Sequence, residues 1–202
     1  MGAVIRARDV QVRYQRGGAL AVSGVGFDLA PGAGLLITGG RGSGKSSVLR
    51  AVLGLAGPGG DITVFGRPPG HPDALQRIGW APQSWPFTYG IRAGEAAAMV
   101  ARLKGHGPAE AAAAMDEAGF TATTKLAPLL EIEESRQLSL ACALIGAPDL
   151  LVLDDPWEFE ETTTAIRRAL DRGCAVLAAS SDPGGLSALL GASIALTEGV
   201  PA

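Results

Sequence analysis

Eight consecutive residues, Gly39-Gly40-Arg41-Gly42-Ser43-Gly44-Lys45-Ser46, repeat the spacing G-x-x-x-x-G-K-[ST] in full. Glycines let successive backbone N–H groups converge on phosphate oxygens, and a helix start behind them adds its dipole to that anion nest. In this pattern Lys45 brings a point charge to the β- and γ-phosphates, and the Ser46 hydroxyl becomes a Mg²⁺ ligand. A glycine-rich turn that merely contains a lysine is the plain alternative. The flanks argue against it, because the apolar run Gly34–Thr38 precedes the loop and helical spacing (Val48, Leu49, Val52, Leu53) follows it. A magnesium site needs a further acid, and Asp154 stands at the end of the hydrophobic run Leu150–Leu153 where one is required.

These groups need a scaffold. Val4 to Leu29 alternates apolar and polar residues around Gly17-Gly18, which predicts two or three antiparallel strands. Gly34–Thr38 predicts a buried strand, Ser46–Leu55 a helix stopped by the Gly57–Gly60 breaker, and Asp61–Phe65 a further strand. From about Ile91 to Phe120 the chain turns Ala-rich with few β-branched residues and is divided by Gly105-His106-Gly107-Pro108, predicting a helical insert. A helix over Glu133–Ile145, the strand Leu150–Leu153, a helix near Thr163–Asp171, the strand Ala175–Ala179, and a short terminal helix and strand complete the order. Strands interleaved with helices, with glycine loops at strand ends, describe an α/β fold: a P-loop (RecA-like) parallel-sheet core with N-terminal antiparallel strands and a helical insert. The expected organisation is one domain over 1–202, with its core in 1–85 and 131–202 and the insert over about 86–130.

Composition narrows the function. The 202 residues are 47% hydrophobic, 18% charged and 5% aromatic, with net charge −3 and no long basic run, so nucleic acid is not an expected partner. Cys142 and Cys174 lie far apart in apolar stretches, and His71 and His106 lack ligand spacing, so no metal site is expected from protein ligands alone. Neither a signal-peptide core nor an 18-residue apolar run occurs, which predicts a cytosolic product reaching membranes only through a partner.

The order of motifs resembles the nucleotide-binding domain of ABC transporters over nearly the whole chain. On that resemblance Gly39, Gly40, Arg41, Gly42, Ser43, Gly44, Lys45, Ser46 and Ser47 correspond to the Walker A phosphate loop of an ATP site. Tyr14 falls where the family stacks an aromatic on adenine, and simple packing is its alternative. Gln83, in Ile78-Gly79-Trp80-Ala81-Pro82-Gln83, matches the Q-loop glutamine at the junction to the helical subdomain, which the resemblance counts among the catalytic and Mg²⁺-binding residues. Leu138–Asp149 is similar to the helix after the family's signature, and Asp154-Asp155-Pro156 falls on Walker B and the residue following it.

Departures from the pattern carry their own information. The family closes ATP between two cassettes, one offering Walker A and the other a Leu-Ser-Gly-Gly-Gln signature. Here the aligned segment is Leu130-Glu131-Ile132-Glu133-Glu134, and its carboxylates oppose a phosphate chain. The general-base glutamate becomes Asp155, one methylene short, the switch histidine becomes Ser181, and the D-loop reads Trp157-Glu158-Phe159-Glu160. The resemblance therefore implies ATP-Mg²⁺ binding with slow turnover, in a heterodimer with a second cassette more than a homodimer. It also implies a transmembrane partner on the cytoplasmic face of a membrane. Trp85, Phe87 and Tyr89 either fill a coupling groove or pack internally. A nucleotide-sensing module that never hydrolyses is the competing class. A small-molecule kinase is disfavoured, since the insert offers only Arg92 and Arg102 for a lid.

Overall fold

The computed structural model describes residues 2–15, 17–83, 90–156, 160–182 and 184–202. Trp85, Phe87 and Tyr89, and the D-loop positions Trp157, Glu158 and Phe159, lie outside the described residues.

Two sheets are present among the described residues. The first is antiparallel: β1 (Ile5–Val12) lies between β2 (Val22–Leu29) and β4 (Pro58–Val64). The alternation in β1 and β2 buries Ile5, Ala7, Val10 and Val12 against Val22, Val25 and Leu29, as a half-buried sheet requires. Sequence reasoning ended the preceding helix at Gly57–Gly60 and began the strand at Asp61. The strand instead starts at Pro58, which pairs with Val12 while Gly59 pairs with Gln11. It is an edge strand, where a proline removes no ladder donor, and the register shift between Arg8 and Gln11 absorbs the glycines as a bulge.

The second sheet runs in the order β5 (Ile78–Ala81), β6 (Leu150–Asp154), β7 (Ala175–Ser180), β3 (Gly34–Thr38), β8 (Ser193–Thr197), β9 (Val200–Pro201). All neighbours are parallel except β8 and β9. Strand β5 was not foreseen, because Ile78–Ala81 has only four residues and a glycine among them. That glycine is needed: a Cβ at position 79 would lie 2.0 Å from the Ala143 carbonyl oxygen.

Period-two geometry sends the strand residues to two cores. Leu35, Ile37, Leu150, Val152 and Leu177 face the antiparallel sheet and α1 (Lys45–Val52), which is sandwiched between the sheets. Leu36, Leu151, Leu153, Val176 and Ala178 face the helical side. There stand α3 (Ala93–Leu103), α4 (Pro108–Glu117), α5 (Ile132–Leu144), α6 (Glu160–Asp171) and α7 (Gly184–Leu190), whereas the short α2 (Pro72–Leu75) buries Ala74 in the first core. In α3 and α4 small alanines (Ala93, Ala97, Ala101, Ala111, Ala114) form the buried stripe, so these helices approach closely. Helix α5 joins the layers: Leu138 to Leu144 are buried, and it packs on α3, α4, β5 and β6 alike.

Because β3, β7 and β6 are adjacent and parallel, their C-terminal ends open on one edge. Thr38 pairs with Ser180, and Asp154 pairs with Ala179. The loops leaving those three ends are Gly39–Gly44, Asp155-Pro156 and Ser181-Asp182. This is where open α/β sheets place ligands.

Candidate nucleotide site

The loop from Gly39 to Gly44 links β3 to α1 with little room for side chains. Gly39 has φ +142, and a Cβ there would sit 2.3 Å from the Leu196 carbonyl oxygen. Gly44 caps α1 at φ +94, and its Cβ would meet the Ala21 carbonyl oxygen at 2.4 Å. Lys45 and Ser46 open the helix, so their amides precede its internal ladder and face forward. The Ser43 hydroxyl is buried and has no hydrogen-bond partner among the described residues. A buried donor left in this state is stabilised by whatever acceptor enters the loop.

Lys45 folds back over the loop, its Nζ donating to the Gly39 and Gly40 carbonyls, each at 2.7 Å. Partial burial pulls its ammonium below the usual lysine range, opposed by the Asp155 and Asp154 charges. The Ser46 Oγ donates to Asp154 Oδ1 at 2.8 Å. Asp154 is 6% exposed at the end of a wholly buried strand. Burial lifts its carboxyl above the ordinary aspartate range; the Ser46 hydrogen bond, Arg50 and Lys45 pull the other way, and Asp155 adds to the rise.

A cleft of about 460 Å³ collects Lys45, Ser46, Gln83, Asp154, Asp155 and Ser181, with Arg41, Gly42 and Arg136 completing its wall. The Gln83 Nε2 donates to Asp155 Oδ2 at 3.1 Å. Asp155 holds φ +56, and its amide donates to the Ala179 carbonyl at 2.7 Å, turning the chain sharply off β6. At the other end the exposed Tyr14 donates its hydroxyl to Ser47 Oγ at 3.0 Å. The structure thus brings together the loop Gly39–Ser47, Gln83, Asp154, Asp155 and Ser181, and sets Tyr14 beside the loop's helical end.

One residue at this site was missed. Arg136, in α5, donates from Nη1 to the Asp155 carbonyl oxygen and places Nη2 3.8 Å from Asp155 Oδ2. Its sequence signal was weak: an arginine among polar residues in the first turns of a helix reads as solvated. The i, i+3, i+4 grouping with Ser139 and Leu140, which line the same small cavity, was the pattern that could have found it.

The residues present suit a nucleotide with magnesium. Serine hydroxyl, aspartate and glutamine oxygens form a hard donor set of the kind Mg²⁺ takes alongside phosphate. Among the described residues no three His, Cys, Asp or Glu side chains gather as a metal cage, so the remaining ligands would come from phosphate and water.

The aligned signature segment differs in kind. Glu131 caps α5, and its amide donates to Glu134 Oε2 at 2.8 Å. Lys125 Nζ holds the same carboxylate at 2.7 and 2.8 Å. The Lys125 ammonium and then the Glu131 amide keep the Glu134 carboxyl below the usual glutamate range. Leu129 and Ile132 flank it, exposed.

Comparison with known proteins agrees with this geometry. The family model described as "ABC transporter" matches residues 22–158. The Nod factor export ATP-binding protein I of Burkholderia orbicola (strain AU 1054) is 34% identical over 76% of this chain, which spans about half (53%) of that relative's length. The cytochrome c biogenesis ATP-binding export protein CcmA of Roseobacter denitrificans (strain ATCC 33942 / OCh 114) is 33% identical over 90% of this chain and 81% of its own. Among solved structures, the dimeric post-hydrolysis state of the ATP-binding cassette MJ0796 bound to ADP and Pi superposes with TM-score 0.87 at 19% identity, covering 98% of this chain and 96% of that one. A sequence match across the phosphate loop and Asp154, joined to a shared fold over almost every residue, establishes that the chain belongs to the ABC transporter family as an ATP-binding cassette.

Proposed function

We propose that this chain is the ATP-binding subunit of an ABC transporter, that it holds ATP-Mg²⁺, and that it couples binding and slow hydrolysis to transport together with a second cassette and a membrane subunit. The carrying observation is the convergence of Lys45, Ser46 and Asp154 on one cleft behind a loop whose Gly39 and Gly44 leave no room for a side chain. In this reading the loop amides of Gly40–Ser46 and the Lys45 ammonium hold the polyphosphate, with Arg41 on its rim and the buried Ser43 hydroxyl within the loop. Ser46, Asp154 and Gln83 would hold Mg²⁺, which supplies charge neutralisation to the phosphate oxygens. Tyr14 lies along the base end.

Slow hydrolysis follows from the opposite wall. Asp155 is short, is turned by its left-handed backbone, and is engaged by Gln83 and Arg136. Ser181 offers a neutral hydroxyl where the family has a cation. The α5 terminus satisfies itself with Glu134, so a partner's phosphate would meet carboxylates. A partner with an intact signature is therefore a better match than a second copy. A single cassette over 1–202, with core 1–85 and 131–202 and a helical arm over about 86–130, accounts for α5 packing on both layers. Among the described residues no helix is long and apolar enough to cross a membrane, and membrane association would come through the transmembrane subunit.

Phosphate release, measured with and without the co-expressed membrane subunit, tests the proposal. Partner-stimulated release that disappears in Lys45→Ala supports it. Tight ATP binding with no release under any pairing would instead favour a sensing module.

A further inference from the structure

We propose that the open hollow between the antiparallel sheet and the start of β5 binds a small organic phosphate, a phosphate monoester on an apolar or aromatic body, through Arg6 and Arg77. This site is separate from the nucleotide cleft. Arg77 directly precedes β5, whose other end leads to Gln83, so the two sites lie at opposite ends of that strand.

The hollow measures about 470 Å³, within the range of roughly 300–1,000 Å³ that small-molecule sites occupy. Arg6 and Thr63 are cross-strand partners on β1 and β4, on the sheet face opposite the buried Ile5 and Val64, and both line it. Val4, Pro31 and Phe65 supply apolar wall, and Arg77 joins them from the segment before β5. No Asp or Glu is among the described residues lining it, so the lining carries two positive charges in a chain of net charge −3. A phosphate monoester carries about −1.5 to −2 near neutral pH, which matches that pair.

Arg77 is already set in place. Its Nε donates to Asp149 Oδ2 at 2.7 Å, and its guanidinium carbon stands 3.8 Å from the centroid of the Phe65 ring. These contacts fix the guanidinium plane without using its two terminal nitrogens, from which no described residue accepts a hydrogen bond. Arg6 is the surplus cation of its own neighbourhood. Arg8 takes both carboxylate oxygens of Asp28, at 3.0 and 2.7 Å, and leaves Arg6 Nε 3.9 Å away, beyond hydrogen-bond length. Two arginine forks therefore keep donors for an oxyanion, in the geometry that meets phosphate oxygens in pairs.

The backbone of Phe65 is an independent sign. It holds φ +51, which a bulky side chain rarely adopts, while its amide donates to the Val4 carbonyl at 2.7 Å. Such conformations persist where the surroundings over-determine them, ligand clamps among them, and here the residue so held carries the ring beneath Arg77. A purely structural staple from Asp149 through Arg77 to Phe65 would need neither Arg6 nor a lining free of acids, and an exposed ion pair contributes little stability.

Nuclear magnetic resonance titration of the full chain tests the proposal, following backbone amides with phenyl phosphate, benzoate, inorganic phosphate and phenol as probes. Phenyl phosphate should give saturable shifts at Thr63, Phe65 and Gly66, half-complete in the low millimolar range. Inorganic phosphate and benzoate should each bind about fivefold more weakly, and phenol should leave those amides unmoved. Arg77→Gln should weaken phenyl phosphate about tenfold and Arg6→Gln about fivefold, each variant checked by ligand-free melting. Shifts confined to Gly39–Ser46, phenol or benzoate binding as tightly as phenyl phosphate, or variants that bind like the wild type would each overturn the assignment. If Arg77→Gln fails to fold, Arg6→Gln decides alone, because Arg6 lies on the solvent face of its sheet.

Discussion

The two ends of the cassette solve the same electrostatic problem in opposite ways. At the phosphate loop, helix α1 begins with bare glycines, forward-facing amides and a lysine resting on its own loop carbonyls, a set of donors waiting for an anion. At the aligned signature, helix α5 begins with its own anion already in place, Glu134 held by the Glu131 amide and Lys125. One helix start is open to a ligand and the other is closed by the chain itself. The difference teaches that two helix starts of one chain can diverge, one left open to an anion and the other satisfied by its own side chains.

The sharpest way to break the comparison is at Gly44. Gly44→Ala puts a methyl group 2.4 Å from the Ala21 carbonyl at φ +94, and should cost about 3 kcal/mol, a fall in Tm of about 9 °C, together with ATP binding. Thermal melting checks it; an unchanged Tm would mean the loop is not held as described. Lys45→Ala comes next, with ATP affinity expected to drop about 100-fold and little change in fold, as equilibrium dialysis would reveal.

The closed end can be opened. Replacing Glu131→Ser, Ile132→Gly, Glu133→Gly and Glu134→Gln together should raise ATP-dependent pairing with a cassette partner about tenfold, read by light scattering. Pairing that stays the same would show that the carboxylates were not the obstacle.

The smallest effect concerns Asp154. Burial raises its carboxyl in the fold, so the folded chain takes up that proton more readily than the unfolded one. Its charge therefore subtracts stability as pH rises through the raised value, and stability from this group is greatest on the acid side. Asp154→Asn, at neutral pH and without ligand, should raise Tm by about 2 °C while removing magnesium-dependent binding. A lower Tm would contradict the electrostatic account of this residue.

The open end was also the legible one. Gly39–Ser46 is read from eight adjacent residues because the chemistry there is local, and β3, β6 and β7 announced themselves by apolar runs that any buried parallel strand needs. What escaped was long-range. Strand β5 has four residues, one a glycine selected by the Ala143 carbonyl from a distant helix. Strand β4 begins inside Pro58-Gly59-Gly60 because β1 offers it an edge with a bulge. Arg136 gains meaning only when α5 lies against the end of β6, an approach set by packing of residues far apart in the chain. Glu134 was read as a charge and proved to be also a cap, since the i, i+3 geometry of a helix start returns its carboxylate to the Glu131 amide.

The central claim is that the loop between Ile37 and Val48 closes on a nucleotide's phosphates. Isothermal titration of the purified chain with ATP and Mg²⁺ tests it most directly. Saturable heat with one site per chain, about 100-fold weaker in Lys45→Ala and weakened when magnesium is chelated, is the predicted result. No heat with ATP and Mg²⁺ well into the millimolar range, from a chain that melts cooperatively, would contradict it.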